Sequence, residues 1–194
     1  TNRTRIPIDG APRWLTVPVR RTGLDTPIRE LRIGDGAAAG RHLRTLEQRY
    51  GRCPHGPEVI EQLRPALESA TEDASLAELN ERLIATVTEY LGIEIELVRQ
   101  SRLDVDGRRN ELLARLAEAV DGDLYLSGGG GWRYMEGEEA VYLDRGVRIA
   151  RQSFRHPTYD QGTEGFVEGC SIVDALCHLG PHTRSLLAAE GESR

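Results

Sequence analysis

The sequence contains no lysine: all 25 of its basic residues are arginine. Without a lysine amine, a protein cannot form a Schiff base with a carbonyl substrate or with pyridoxal phosphate, and it has no P-loop lysine to hold nucleotide phosphates. These 194 residues therefore lack the chemistry of imine-forming aldolases, pyridoxal-phosphate enzymes and Walker-type NTPases.

Cysteine and long apolar runs are scarce. Cys53, Cys170 and Cys177 are too few for a disulfide framework, and their spacing relative to the nearby histidines matches no standard zinc module. No apolar run reaches the ~20 residues that a membrane-spanning helix needs. The sequence predicts a cytoplasmic protein with reduced cysteines, no metal, no cofactor and no membrane span.

Net charge and chain length indicate which partners and how many domains to expect. The chain has 31 acidic and 25 basic residues, a net charge of −6, which disfavours nucleic acid as a partner. With 39% hydrophobic residues it can bury a core, and its length suits one domain over residues 1–194. The composition leaves the oligomeric state open.

Apolar periodicity predicts strands alternating with helices. This order favours an α/β fold, a single domain with a partly parallel sheet flanked by helices. The expected strands are residues 14–19, 28–33, 93–98, 124–126 and 147–154. The expected helices are residues 37–50, a segment with Pro57 in its first turn, residues 76–91, a segment after Gly107, and residues 171–179.

A glycine run, Ser127 to Gly131, follows one predicted strand. Glycine permits a positive φ and lets a ligand approach backbone N–H groups, so the run is a candidate anion-binding loop. A flexible surface loop explains the same glycines equally well. The spacing does not match a dinucleotide-binding fingerprint.

A second group of polar residues follows the predicted strand 147–154. His156, Tyr159 and Gln161 offer a proton acceptor, a phenol and an amide where a strand leaves the sheet, a common place for a site. The alternative is a loop whose polar side chains only satisfy local hydrogen bonds.

Ser171 and Asp174 open the last predicted helix. A serine hydroxyl there can accept a backbone N–H, and a carboxylate in the first turn faces the positive end of the helix dipole. Both residues are therefore predicted to stabilise the helix start. Cys170, directly before them, is either a thiolate favoured by the dipole or a small buried hydrophobe.

The order of these motifs along the chain resembles that of a known protein family, and the likeness covers nearly the whole chain. The matching pieces are Asn2-Arg3 with Ile6, Trp14 to Val19, Tyr125 to Gly128 with Gly131 and Tyr134, Phe154 with His156-Pro157, Tyr159, Gln161 and Phe166, and Ser171 to Leu176 with Gly180. With these pieces, the chain resembles the WbqC-like protein family of bacterial surface-polysaccharide and natural-product gene clusters.

The resemblance implies an amide-forming acyl- or aminoacyl-type transferase. Its substrate would be a small amine or amino sugar, with an acyl carrier as a further candidate partner. His156 would act as general base, oriented by Tyr159 and Gln161, and the substrate would contact Ser127, Gly128, Gly131, Tyr134, Asn2 and Arg3. The alternative is a non-catalytic module that binds a nucleotide sugar or a carrier protein.

The chain departs from the family pattern in two places. Family members resemble one another in an opening strand with a His-Gln-Pro motif, so we expect this N-terminal family segment to be missing here. The usual Leu-Phe-Asn is replaced by Leu176-Cys177-His178, and the last two residues therefore inherit no family role.

We predict that the purified protein contains three free thiols and no stoichiometric zinc, because no cysteine pair has disulfide or zinc-module spacing. Thiol titration of denatured, unreduced protein and elemental analysis test this. One zinc per chain, or a single titratable thiol, would contradict it.

Overall fold

A computed structural model describes residues 1–20, 23, 25–189 and 191–193. The chain forms two compact units, which are described separately below. The first comprises Thr1–Ile95 and His156–Leu186, and the second comprises Glu96–Arg155 and Leu187–Arg194. The boundary of one domain over residues 1–194 stays a prediction.

The regular elements mix helices with short strands. The strands are β1 (Arg3–Ile8), β2 (Ala11–Thr16), β3 (Val19–Arg20), β4 (Arg32–Ile33), β5 (Leu124–Ser127), β6 (Arg148–Phe154) and β7 (Gly191–Ser193). The helices are α1 (Ala37–Tyr50), α2 (Gly56–Glu68), α3 (Leu76–Tyr90), α4 (Arg109–Ala119), α5 (Gly129–Trp132), α6 (Ala140–Leu143), α7 (Ile172–Leu179) and α8 (Thr183–Ala189).

The fold class is confirmed as mixed α/β, with small sheets. Strands β5 and β6 pair in parallel, and β7 pairs antiparallel with β6, so the largest sheet is partly parallel as predicted. In the first unit, β1 pairs antiparallel with β2, and β3 with β4. The β1–β2 turn consists of Asp9 and Gly10, both at positive φ. A two-residue hairpin turn of this kind requires that backbone conformation at both positions.

The core of the first unit is built by α1, α2 and α7. The apolar stripe of α1 buries Leu43, Leu46 and Tyr50, and α7 contributes Leu176 and Cys177 to the same cluster. These stripes follow the helical spacing read from the sequence, and helix 37–50 has the predicted bounds.

Two predicted helix starts are confirmed. The Ser75 hydroxyl accepts a hydrogen bond from the Glu78 backbone N–H at 3.4 Å, and the Ser171 hydroxyl accepts one from the Val173 N–H at 3.4 Å. Gly92, at φ +61°, follows the end of α3 in the conformation that favours glycine.

The second unit has its own small core. Ala114 of α4, Tyr142 of α6, Met135 and Val147 form its buried cluster. Asn110 joins these pieces, because its side-chain amide donates to the Tyr134 carbonyl and to Glu138 and its oxygen accepts from the Tyr142 hydroxyl.

Three strand predictions need correction. Residues 14–19 are not one strand: the ladder breaks before Pro18, whose nitrogen carries no hydrogen to donate. Residues 28–33 form a 3-10 turn (Ile28–Glu30) followed by the two-residue β4. Residues 93–98 form no strand although their pattern alternates, because a strand also requires a partner, and no described strand pairs with them.

Among the described residues, no helix is both long and apolar enough to span a membrane.

Replacing Ser75 with alanine is predicted to lower the free energy of unfolding by about 1 kcal/mol, the usual loss for an N-cap. Urea denaturation measures the change. Ser101→Ala, at an exposed serine that caps no helix, is the matched control and is expected to change stability little. Equal effects of the two substitutions would contradict a capping role for Ser75.

Candidate functional site

The first unit contains a buried carboxylate, Asp174, in the first turn of α7. Its side chain is 0% exposed. Oδ1 accepts a hydrogen bond from the Tyr50 hydroxyl at 2.9 Å, and Oδ2 accepts from the Tyr159 hydroxyl at 2.7 Å and from the Gln161 amide at 2.9 Å. Three donors from remote parts of the chain therefore converge on one carboxyl group.

Arg49 places a positive charge beside this group. Its guanidinium lies 3.9 Å from Asp174 Oδ1 and donates hydrogen bonds to the Pro7 and Gln161 carbonyls at 2.7 and 2.6 Å. A buried carboxylate is tolerated only when it is paired and hydrogen-bonded. Arg49, Tyr50, Tyr159 and Gln161 meet that requirement, and we call them together with Asp174 the Asp174 network.

Gln161 also closes the loop that follows it. Its side chain donates to the Val167 carbonyl at 3.2 Å and accepts from the Val167 N–H at 2.7 Å. Phe166 packs edge-on against the Tyr159 ring, with 5.4 Å between the centroids. Gln161 is 1% exposed, so its amide positions this loop and does not face solvent.

The two tyrosines of the network are held in their protonated form. Burial, and then the Asp174 carboxylate, raise the pKa of both Tyr50 and Tyr159 well above the ordinary value of 10. A phenol with a raised pKa stays a hydrogen-bond donor at neutral pH and is a poor proton acceptor. Tyr159 therefore acts here as a donor to Asp174.

His178 and Cys53 lie next to the network. His178 Nε2 is 3.7 Å from the Cys53 sulfur and 3.9 Å from Asp174 Oδ1. Both contacts involve the same ring nitrogen, whereas a catalytic triad uses one nitrogen for the nucleophile and the other for the carboxylate. Burial lowers the pKa of His178 and raises that of the Cys53 thiol. The pair is therefore neutral, and its geometry is not that of a triad.

The other cysteines are also protonated. Burial raises the pKa of Cys177 to about 12 and raises that of Cys170 above its ordinary value. Of the two alternatives for Cys170, the raised pKa favours the small, partly buried hydrophobe over the thiolate. Within the described part of the chain, no group of three or more His, Cys, Asp or Glu side chains is arranged to hold a metal ion.

His156 has a different environment from Tyr159 and Gln161. Its side chain is exposed, while the next residue, Pro157, is buried. The motif therefore contains an imidazole in contact with solvent, followed by two residues whose polar atoms are held inside the first unit.

The glycine run lies in the second unit and contains a short helix. Gly128, Gly129, Gly130 and Gly131 do not have positive φ; the run continues from β5 into the one-turn helix α5. Ser127 is 3% exposed and donates its hydroxyl hydrogen to the Gly128 carbonyl at 3.2 Å.

A cavity of about 320 Å³ lies within the first unit, and Asn2 and Arg3 are among its lining residues. The Asn2 amide donates to the Val17 carbonyl at 2.9 Å, which holds the start of β1 against the end of β2. Neither His156 nor the glycine run lines this cavity. That one substrate contacts both His156 and the Ser127–Gly131 run stays a prediction, as does a substrate contact by Tyr134, whose side chain is 73% exposed.

Sequence reasoning missed the central role of Asp174 and assigned no role to Arg49 or Tyr50. It explained Asp174 by the helix dipole alone. The available signal was the position of this carboxylate inside the apolar run 172–176, because a charge on the buried stripe of a helix needs buried partners. Which residues supply those partners follows from the fold.

Comparison with known proteins covers most of the chain. The model of the WbqC-like protein family matches residues 1–186. An uncharacterised protein of Mycobacterium tuberculosis is 31% identical over 182 residues, which is 92% of this chain and 77% of the relative. No solved structure matches the chain.

Replacing Asp174 with asparagine is predicted to destabilise the protein by about 3 kcal/mol, because Arg49 loses its buried counter-charge and the new amide N–H₂ faces hydrogen-bond donors. Urea denaturation measures the loss. Asp9→Asn is the matched control, since Asp9 is exposed and asparagine tolerates its positive φ. A loss below 1 kcal/mol for Asp174→Asn would show that the Asp174 network does not hold the first unit together.

Proposed function

The chain belongs to the WbqC-like protein family, and we propose that it is a transferase that forms an amide by acyl or aminoacyl transfer in the assembly of a bacterial polysaccharide or natural product. The acceptor is a small amine or amino sugar, and an acyl carrier is a candidate source of the acyl group.

The observation that carries this proposal is the difference in exposure among His156, Tyr159 and Gln161. Tyr159 and Gln161 are anchored on the buried Asp174, whereas His156, a few residues earlier, is exposed. An anchored segment with an accessible imidazole is suited to general-base catalysis, because the base must be held in place yet reach the substrate. Tyr159 and Gln161 act in this mechanism as positioning residues.

In the proposed reaction, His156 removes a proton from the acceptor amine as its nitrogen attacks the carbonyl carbon of the acyl donor. A carbon–nitrogen bond forms, the bond from the carbonyl carbon to the leaving group breaks, and the leaving group departs with the electron pair and takes up the proton from His156. Imidazole suits both transfers because it gains and loses a proton near neutral pH.

The remaining predicted contacts complete the proposal. Backbone N–H groups of the Ser127–Gly131 run bind a phosphate or the carbonyl oxygen of the donor, the role that such groups have in oxyanion binding. Asn2, Arg3 and Tyr134 contact other parts of the substrate. The buried Ser127 hydroxyl already donates within the chain, so the backbone rather than this side chain supplies the contact.

The exposure of His156 also favours a second candidate function. An imidazole at the surface is equally accessible to a bound nucleotide sugar or carrier protein, so the chain is alternatively a non-catalytic binding module. The two functions differ in one measurable respect, because only the transferase converts what it binds.

We predict that His156→Gln lowers the rate of amide formation by about 100-fold or more, the usual contribution of a general base. Mass spectrometry of product formed from amino-sugar acceptors and acyl-thioester donors measures the rate. His182→Gln, at another exposed histidine, is the matched control and should retain the parent rate. Full activity of His156→Gln would refute the general-base role. Tight acceptor binding without product from the parent protein would favour the binding module.

A further inference from the structure

The outer face of the β1–β2 hairpin carries two arginines and a tryptophan. Side chains alternate along a strand, so Arg3 and Arg5 share one face of β1, and the register pairs Arg5 with Trp14 of β2. Ile6, on the opposite face, is 0% exposed and belongs to the core of the first unit. Arg3, Arg5 and Trp14 therefore lie on the side of the hairpin away from that core, and we call them the arginine–tryptophan face.

Packing restrains both guanidinium groups of this face. The guanidinium carbon of Arg3 lies 4.4 Å from the centroid of the Trp14 ring, and that of Arg5 lies 5.3 Å from it. Arg5 also packs against Gly169, where a Cβ would lie 2.5 Å from a guanidinium nitrogen. A guanidinium over an aromatic ring keeps the N–H donors at its edge for a further partner.

The positive charge of this face has no counter-charge among the described residues, where no carboxylate forms an ion pair with Arg3 or Arg5. Arg64 and Arg145, in contrast, each pair with glutamates. The chain as a whole has a net charge of −6, so the two arginines reverse the sign locally. Such a face attracts an anionic ligand.

We propose that the arginine–tryptophan face binds a nucleoside diphosphate, with one phosphoryl group at each guanidinium and the base against the Trp14 ring. Guanidinium matches phosphate oxygens in a bidentate geometry. Arg3 and Arg5 are spaced about 7 Å along one strand, so a ligand with two adjacent anionic groups can contact both. Trp14 is 52% exposed, which leaves part of its ring for stacking.

This inference deepens the second candidate function, on which it rests, because it gives a nucleotide sugar a defined binding surface. The diphosphate and the base are the parts of such a ligand that this face is suited to hold.

NMR titration of the two tryptophan indole N–H signals, without divalent metal ions, tests both the ligand and its place. Pyrophosphate should shift the Trp14 signal and bind about tenfold more tightly than orthophosphate, because it contacts both guanidiniums. Uridine diphosphate should bind about fivefold more tightly than pyrophosphate, because its base stacks. Equal affinities in either comparison would overturn the corresponding contact. A shift of Trp132 alone would place the phosphate beside the glycine run and overturn the proposal.

Substitutions on the hairpin test which charges bind the ligand. Arg3→Gln and Arg5→Gln should each weaken pyrophosphate binding about fivefold to tenfold, because each removes one charge-assisted contact. Arg13→Gln, at an exposed arginine that the alternation of β2 places on the other face, is the matched control and should change little. Equal weakening in all three variants would show general charge attraction and overturn the site.

Thermal melts followed by circular dichroism establish that the variants fold, and if Arg5→Gln does not, Arg3→Gln decides. Absence of pyrophosphate binding by the parent protein would overturn the proposal. These experiments measure binding alone, so their failure leaves the general-base role of His156 standing. Loss of that role would likewise leave the binding result unchanged.

Discussion

The buried carboxylate of Asp174 is the constraint on which the first unit depends. It receives hydrogen bonds from Tyr50, 124 residues earlier, and from Tyr159 and Gln161, 15 and 13 residues earlier. An unpaired charge at this depth would cost several kcal/mol, so the native arrangement must bring every donor into place together. Arg49 extends the same constraint to β1 through the Pro7 carbonyl.

Because of this constraint, the polar residues between positions 156 and 161 have different roles. Tyr159 and Gln161 have their polar atoms committed to Asp174 and to Val167, so they cannot also bind a substrate without breaking buried hydrogen bonds. His156, by contrast, is exposed. In the proposed mechanism the chemistry therefore depends on His156, and Tyr159 and Gln161 act only as positioning residues.

Local patterns predicted the helices better than the strands or the site. Helix α1 has the predicted bounds, and Ser75 and Ser171 begin α3 and α7, because stripes and caps depend on residues within one or two turns. Residues 93–98 differ from prediction, since strand pairing depends on neighbours that a local pattern does not contain. The Asp174 network was hidden for the same reason, as its donors span most of the chain.

Three of the residues that carry the family resemblance, Tyr159, Gln161 and Asp174, belong to the Asp174 network. Tyr159, Gln161 and the run from Ser171 to Leu176 are needed to bury Asp174 with its partners, whatever the substrate. These three residues therefore have a structural role in this chain that no particular ligand requires. Substrate choice must then depend on groups outside the network that a ligand can reach. In the first unit, His156 meets that condition, because its side chain is exposed.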